Sequence, residues 1–238
     1  MLQPKTYPEL LGKALVLEAE PFVTMVEDDN PWVEGLFLTV CLGFGIGVAH
    51  LIGSLLLTAS LPPADAVQAA LLQGWRQFNP GLGAGVDPLA LEARLRQIWA
   101  LLTAFSGYSG GWFRLFTLVM TPCGLVIQWL LAGLIVFGAA RAVGGRGSLN
   151  QTLGATALMV APHVLSFLTA IPFVSVSNLL LLTWSLLIVY RAAEVTHELP
   201  WERAIWVALA PFVLIVLLAI VASFLLGAII SFFLGGAA

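Results

Sequence analysis

Charge is scarce in this chain. Only 10% of its 238 residues are Asp, Glu, Lys or Arg, against about 25% in an ordinary soluble domain. With 60% hydrophobic residues and a mean hydropathy of +0.98, too few polar side chains remain to cover a water-exposed surface. Lipid is therefore the expected solvent for much of the molecule. Ten basic residues stand against 13 acidic ones, a net charge of −3, which leaves no basic footprint for nucleic acid. Cysteine is almost absent. Cys41 and Cys123 lie in separate apolar runs, an arrangement that argues against a disulfide framework and a thiolate metal site. No HExxH, no GxSxG and no paired nucleophile and base occur, so no enzyme and no cofactor is expected.

A secretory leader needs a basic start and a short apolar core. The first thirty residues instead carry Glu9, Glu18, Glu20, Glu27, Asp28 and Asp29. The first long apolar run begins near Leu36 and is long enough to cross a bilayer, so it is read as a retained helix.

A spanning helix needs roughly 20 apolar residues at ~1.5 Å each. Five stretches qualify: 36–61, 115–140, 153–171, 174–190 and 205–234. The fold expected is an all-α membrane bundle. Residues 1–34 form an amphipathic N-terminal segment, 35–234 a membrane domain, and 235–238 a short tail. The fourth stretch is the shortest. Pro122, Pro162 and Pro211 fall inside spans, where each removes one backbone donor and favours a kink.

Outside the spans, three segments repeat apolar residues at helical spacing. Pro8 to Val26 interleaves Leu11, Leu15 and Phe22 with Lys13, Glu18 and Glu20. The long first loop, 62–114, holds Val67, Leu71, Trp75 and Phe78, then Leu91, Leu95, Ile98, Leu102 and Phe105, separated by a turn at 79–87. Such faces are expected to lie in the membrane interface or to cap the bundle. Among the short segments, Lys5 and Lys13, Arg141 and Arg146, and Arg191 and Arg203 fall on one side if five helices span. The bias of Lys and Arg makes that side cytoplasmic. Arg76, Arg94, Arg96 and Arg114 of the first loop dissent, although longer segments obey the rule less strictly.

Gly43 and Gly47 form a GxxxG pair in the first span, and Gly53 extends the small-residue face. That spacing brings helix backbones together, inside the bundle or between protomers. No strand precedes these glycines, so they form no nucleotide loop. Gly144-Gly145-Arg146-Gly147-Ser148 lacks the phosphate-loop spacing and lysine, and reads as a tight turn with Ser148 as an N-cap. Polar residues inside hydrocarbon are costly, which singles out His50, Gln128 and His163. Gln128 and His163 sit midway along the second and third spans, at a depth where they could share an interhelical hydrogen bond or serve as a ligand or proton site. His-only metal binding is disfavoured, because no carboxylate or Cys has the needed spacing.

The stretch MVEDDNPWVEGLF at 25–37 resembles the entry to the first span of bacterial Yip1-domain membrane proteins, and RAVGGRGSLNQTLGATALMVAP at 141–162 resembles them more strongly. The run LLLLTWSLLIVYRA, the charged loop after it and the last helix with Pro211 also fit. The resemblance implies five spans, a cytoplasmic N-terminal segment and a short tail on the far side, in a bacterial plasma membrane. The long first loop is not part of the pattern it implies. Eukaryotic relatives are associated with small GTPases and vesicle trafficking, but no residue-level motif carries those partners here. The function expected is a non-enzymatic scaffold or adaptor whose partners dock on cytoplasmic segments. Its own partners are the bilayer, other membrane proteins or a second copy, and not nucleic acid. The alternative is a transporter or permease component with a mid-membrane polar site near Gln128 and His163.

Overall fold

The structure, a computed structural model, describes residues 4–78, 88–105 and 113–235. After a short 3-10 turn, Pro4–Thr6, come α1 (Tyr7–Leu15), α2 (Glu20–Glu27), α3 (Pro31–Ser60), α4 (Ala64–Phe78), α5 (Pro88–Phe105) and α6 (Phe113–Ala142). Then follow α7 (Leu149–Thr156), continued as a 3-10 helix Ala157–Ala170, α8 (Asn178–His197) and α9 (Trp201–Gly235). Among the described residues the fold is entirely helical, with five helices long and apolar enough to cross a membrane: α3, α6, the Leu149–Ala170 run, α8 and α9. The fourth is a full 20-residue helix, about 30 Å at 1.5 Å per residue. The stretch read as its start, 174–177, is instead part of the turn that precedes it. The turn expected at 79–87 lies outside the described residues.

The N-terminal segment is not one amphipathic helix but two. Leu17 adopts a left-handed backbone (φ 62), and Glu18 N–H closes back onto Lys13 O at 3.1 Å. Pro21 then opens α2 in its first turn, where its missing N–H costs nothing.

Two compact units divide the chain, and each is described by itself. The first comprises residues 1–41, 124–162 and 177–238. Here α1 packs on α2 and α8, α2 on α7 and α8, and α8 on α7 and α9. Leu10, Leu11, Phe22, Met25, Trp129, Val136, Leu158 and Ile188 are buried in it. Trp129 is the largest fully buried side chain, and its indole N–H donates to Leu153 O at 2.9 Å. Close backbone approach is built in: a Cβ on Gly154 would stand 2.5 Å from Pro31 Cβ. In α9, by contrast, Phe212, Ile215, Leu218, Phe224 and Leu225 are exposed, as suits a helix whose solvent is lipid.

Residues 42–123 and 163–176 form the second unit. The small-residue face of α3 meets its neighbours here. A Cβ on Gly43 would lie 2.6 Å from Pro122 Cα, one on Gly47 3.1 Å from Thr117 O, and one on Gly53 only 1.9 Å from Thr169 O. Only glycine lets backbones come so near.

The third span tightens from α to 3-10 at Ala157. Thr152 and Thr156 hydroxyls donate back to Ser148 O and Thr152 O, each at 2.7 Å, a pattern that bends helices. Pro162 then lacks a donor for the ladder. Apolar spacing cannot distinguish the two helix types over so short a run, so the sequence read this segment simply as a helix.

Candidate functional site: a polar rim on the first unit

The turn after α6 is held by local geometry. Gly144 has φ 91, and Gly145 N–H donates to Ala140 O at 2.8 Å. Ser148 caps α7 as a capping box: Gln151 N–H donates to Ser148 Oγ at 3.2 Å, and Ser148 N–H to Gln151 Oε1 at 2.9 Å. That cap was legible from the sequence. What it packs against was not.

His197, the last residue of α8, is buried against this turn. A Cβ on Gly145 would come within 2.9 Å of His197 Cβ, and one on Gly147 within 3.0 Å of His197 Nδ1. Glycine at both positions is what admits the imidazole. Its Nε2 lies 3.0 Å from Thr152 Oγ1. Because the Thr152 hydroxyl already donates to Ser148 O, it accepts from His197, which assigns the ring proton to Nε2. Nδ1 is then a buried acceptor with no hydrogen-bond partner among the described residues. The turns after α6 and α8 are also joined through their backbones, Arg146 N–H to His197 O at 3.4 Å. Arg203 at the start of α9 donates to Val143 O at 3.1 Å.

The N-terminal segment joins the same rim. Trp32 N–H donates to Asn150 Oδ1 at 3.0 Å, and Trp184 Nε1 donates to Leu15 O at 2.9 Å, satisfying a carbonyl at the open end of α1. Glu34, in the first turn of α3, is only 1% exposed and accepts a hydrogen bond from the Tyr7 hydroxyl. A carboxylate there is favoured by the helix dipole. Burial, and then the bond to Glu34, push the Tyr7 phenol above its ordinary range. Lys13 bridges Glu20 (2.8 Å) and Glu9 (2.9 Å); those two bonds raise the lysine, and the bond to Lys13 holds Glu9 below the usual carboxylate range.

Glu34, Tyr7, His197 and Thr152 were missed by the sequence reading. It began the first span at residue 36, one turn late, although Asn30-Pro31 is a helix-start signal. It also left His197 in a charged loop. Of the polar residues singled out, His50 and His163 are both half-buried in the second unit. Gln128 is in the first, on the wall of a cleft of ≈ 480 Å³ formed by α6, α8, α9 and Met159. Leu131, Ile135, Leu182, Val189 and Phe212 also line it. Ser185, another wall residue, spends its hydroxyl on Met159 O at 2.8 Å. Its walls are mostly apolar, with Gln128, Thr183 and Ser185 the polar residues among them. Among the described residues no three His, Cys, Asp or Glu side chains gather closely enough to hold a metal ion.

The model of the Yip1 domain matches residues 15–224. The chain belongs to the Yip1 domain family. No curated protein and no solved structure matches it. The match begins at the end of α1 and runs to residue 224 in α9, so it takes in the turns of the rim, four of the five apolar helices whole and most of the fifth. It identifies an integral membrane protein of Yip1 type.

Proposed function

We propose that this Yip1-domain protein is a non-enzymatic membrane scaffold or adaptor, with its N-terminus and polar rim facing the cytoplasm of a bacterial cell. One observation carries the reading: the turns after α6 and α8 are hydrogen-bonded to each other and to the start of α9, and the entry to α3 is hydrogen-bonded to Asn150 in the first turn of α7. The charges of the rim, among them Glu9, Glu20, Arg146 and Glu198, remain exposed. A docking surface that is already ordered loses less conformational entropy when a partner binds. The basic residues of this surface supply the orientation argument, because Arg141, Arg146, Arg191 and Arg203 cluster at the ends of the helices that meet there.

Photocrosslinking amino acids placed at Arg146, Glu198 and Glu9 in the intact membrane test the docking. The expected result is a discrete adduct at the rim that disappears with Arg146→Glu, and none from a probe at lipid-facing Phe224. Equal crosslinking at all positions, or none at the rim, overturns the reading. Reporter fusions to the C-terminus test the orientation: activity on the far side of the membrane is expected, and cytoplasmic activity refutes it.

A further inference from the structure

Among the described residues, α4 and α5 leave part of their apolar surface uncovered. On α5, Ile98, Leu101 and Leu102 project from one face and are 52–60% exposed. Trp99 and Thr103 lie on the adjoining face, where Trp99 Nε1 donates to Ala64 O at 3.2 Å and Thr103 is buried. The face that α5 turns toward α4 is therefore not its most apolar one. On α4, Leu71 and Trp75 are likewise exposed, at 56% and 42%. Five large apolar side chains on two short helices are far more than scattered surface residues account for.

The chain itself limits what can cover them. Only residues 61–63 separate α4 from the end of α3, so α4 begins within roughly 14 Å of that end. Arg114, at the start of α6, donates to Thr58 Oγ1 at 2.6 Å, which holds the entry and exit of this loop side by side. Both flanking spans carry exposed apolar residues at these ends: Leu55, Leu56 and Leu61 before the loop, Leu115 and Phe116 after it. The exposed faces of α4–α5 thus lie a short stretch of chain from exposed apolar ends of two helices long and apolar enough to cross a membrane. Arg94 falls on the stripe, one turn from Ile98 and two from Leu101, where its stem can lie among acyl chains and its guanidinium reach a phosphate. Trp75 is of the residue type enriched at headgroup depth.

From this we infer that α4–α5 is a monotopic membrane-interface module, seated on the phospholipid headgroup layer of the leaflet where α3 ends, with Leu71, Trp75, Ile98, Leu101 and Leu102 inserted among the acyl chains. It neither caps the helical bundle nor stands free in water. The inference is independent of the adaptor reading, since it concerns lipid contact alone.

The test uses the full-length chain in phosphatidylcholine/phosphatidylglycerol vesicles, with Cys41 and Cys123 replaced by Ala. Single cysteines at Leu71, Ile98 or Leu102 are compared with Gln73, Ala93 or Ala100. All six positions are exposed in the protein, but the second three lie away from the apolar stripe. Each is labelled with a polarity-sensitive fluorophore and titrated with a lipid-borne quencher. The expected result is a blue shift and quenching several-fold greater at the first three positions than at the second three. Equal quenching on both faces, or water-like emission at Leu71, Ile98 and Leu102, overturns the inference. So does blue-shifted emission that is protected from the quencher and falls as the protein is diluted into excess lipid, because a second copy would then be the cover. Ile98→Glu/Leu102→Glu should leave folding intact and abolish the blue shift of a probe at Leu71. A retained shift counts against a single seated module.

Discussion

Two parts of this molecule share one sequence signature and meet opposite fates. Both α1–α2 and α4–α5 are short helix pairs with apolar residues on one face and charges on the other. In α1–α2 that face is inside: Tyr7, Leu10, Leu11, Ala14, Phe22 and Met25 are buried, and Trp184 and Glu34 bind α1 to α8 and α3. In α4–α5, Leu71, Trp75, Ile98, Leu101 and Leu102 stand exposed. Amphipathic spacing says that a face will be covered. It does not say by what. Polar anchors supply the answer for α1–α2, because each pairs a polar group that burial would otherwise penalise. In α4–α5 the Trp99 indole donates to Ala64 O on one face of α5, and the exposed apolar stripe on the other is the one assigned to lipid.

The comparison can be broken most decisively at Phe22. It is fully buried in α2, so Phe22→Ala should destabilise the detergent-solubilised protein by about 3–5 kcal/mol. Leu102→Ala, at the exposed face of α5, should change stability by less than about 1 kcal/mol. Thermal unfolding followed by intrinsic fluorescence checks both; equal losses would mean that the two helix pairs are buried alike.

A second prediction concerns the interior of the rim. Gly147→Val would drive a side chain into Thr196 O, which even a Cβ would approach to 2.5 Å. Overpacking of this kind costs about 1–3 kcal/mol, and it should free the turn after α6 from α8. Protease sensitivity at 143–148, normal in the parent and raised in the variant, is the readout.

Tyr7→Phe removes the hydroxyl that Glu34 accepts from. Bonds to charged groups contribute about 1.5–3 kcal/mol, and α1 should detach before the remainder unfolds. Faster amide exchange confined to residues 7–15 would show this, and uniform exchange would argue against a latch. Raising the pH acts on the same contact. The Tyr7 pKa is raised in the folded state, so the contribution is complete below the ordinary tyrosine value of about 10 and falls as the pH climbs past it.

The smallest effect lies at the surface. Glu9 is held below its usual range by Lys13, so their pairing is complete above the ordinary carboxylate value and fades as pH falls through the lowered one. Both groups are exposed, and salt should weaken the pair equally well. Glu9→Gln should abolish that acid sensitivity in exchange measurements on α1 and leave α4–α5 unchanged.

Much of the architecture was legible in the sequence for simple reasons. Apolar length alone identifies helices whose solvent is lipid, and five such runs identify an all-α membrane protein. The Ser148 cap and the glycine turn before it depend on chemistry confined to a few adjacent residues, and so could be read directly. Tertiary structure decided everything that depends on a partner distant in sequence. Glu34 becomes a buried anchor where Tyr7, 27 positions earlier, donates to it. His197 becomes the core of the rim only because two glycines from the turn after α6 make room for it. The division of the N-terminal segment into two helices turns on a left-handed Leu17, a conformation no propensity favours. So the hydrophobic pattern established how many helices seek lipid, and long-range contacts established which polar residues matter.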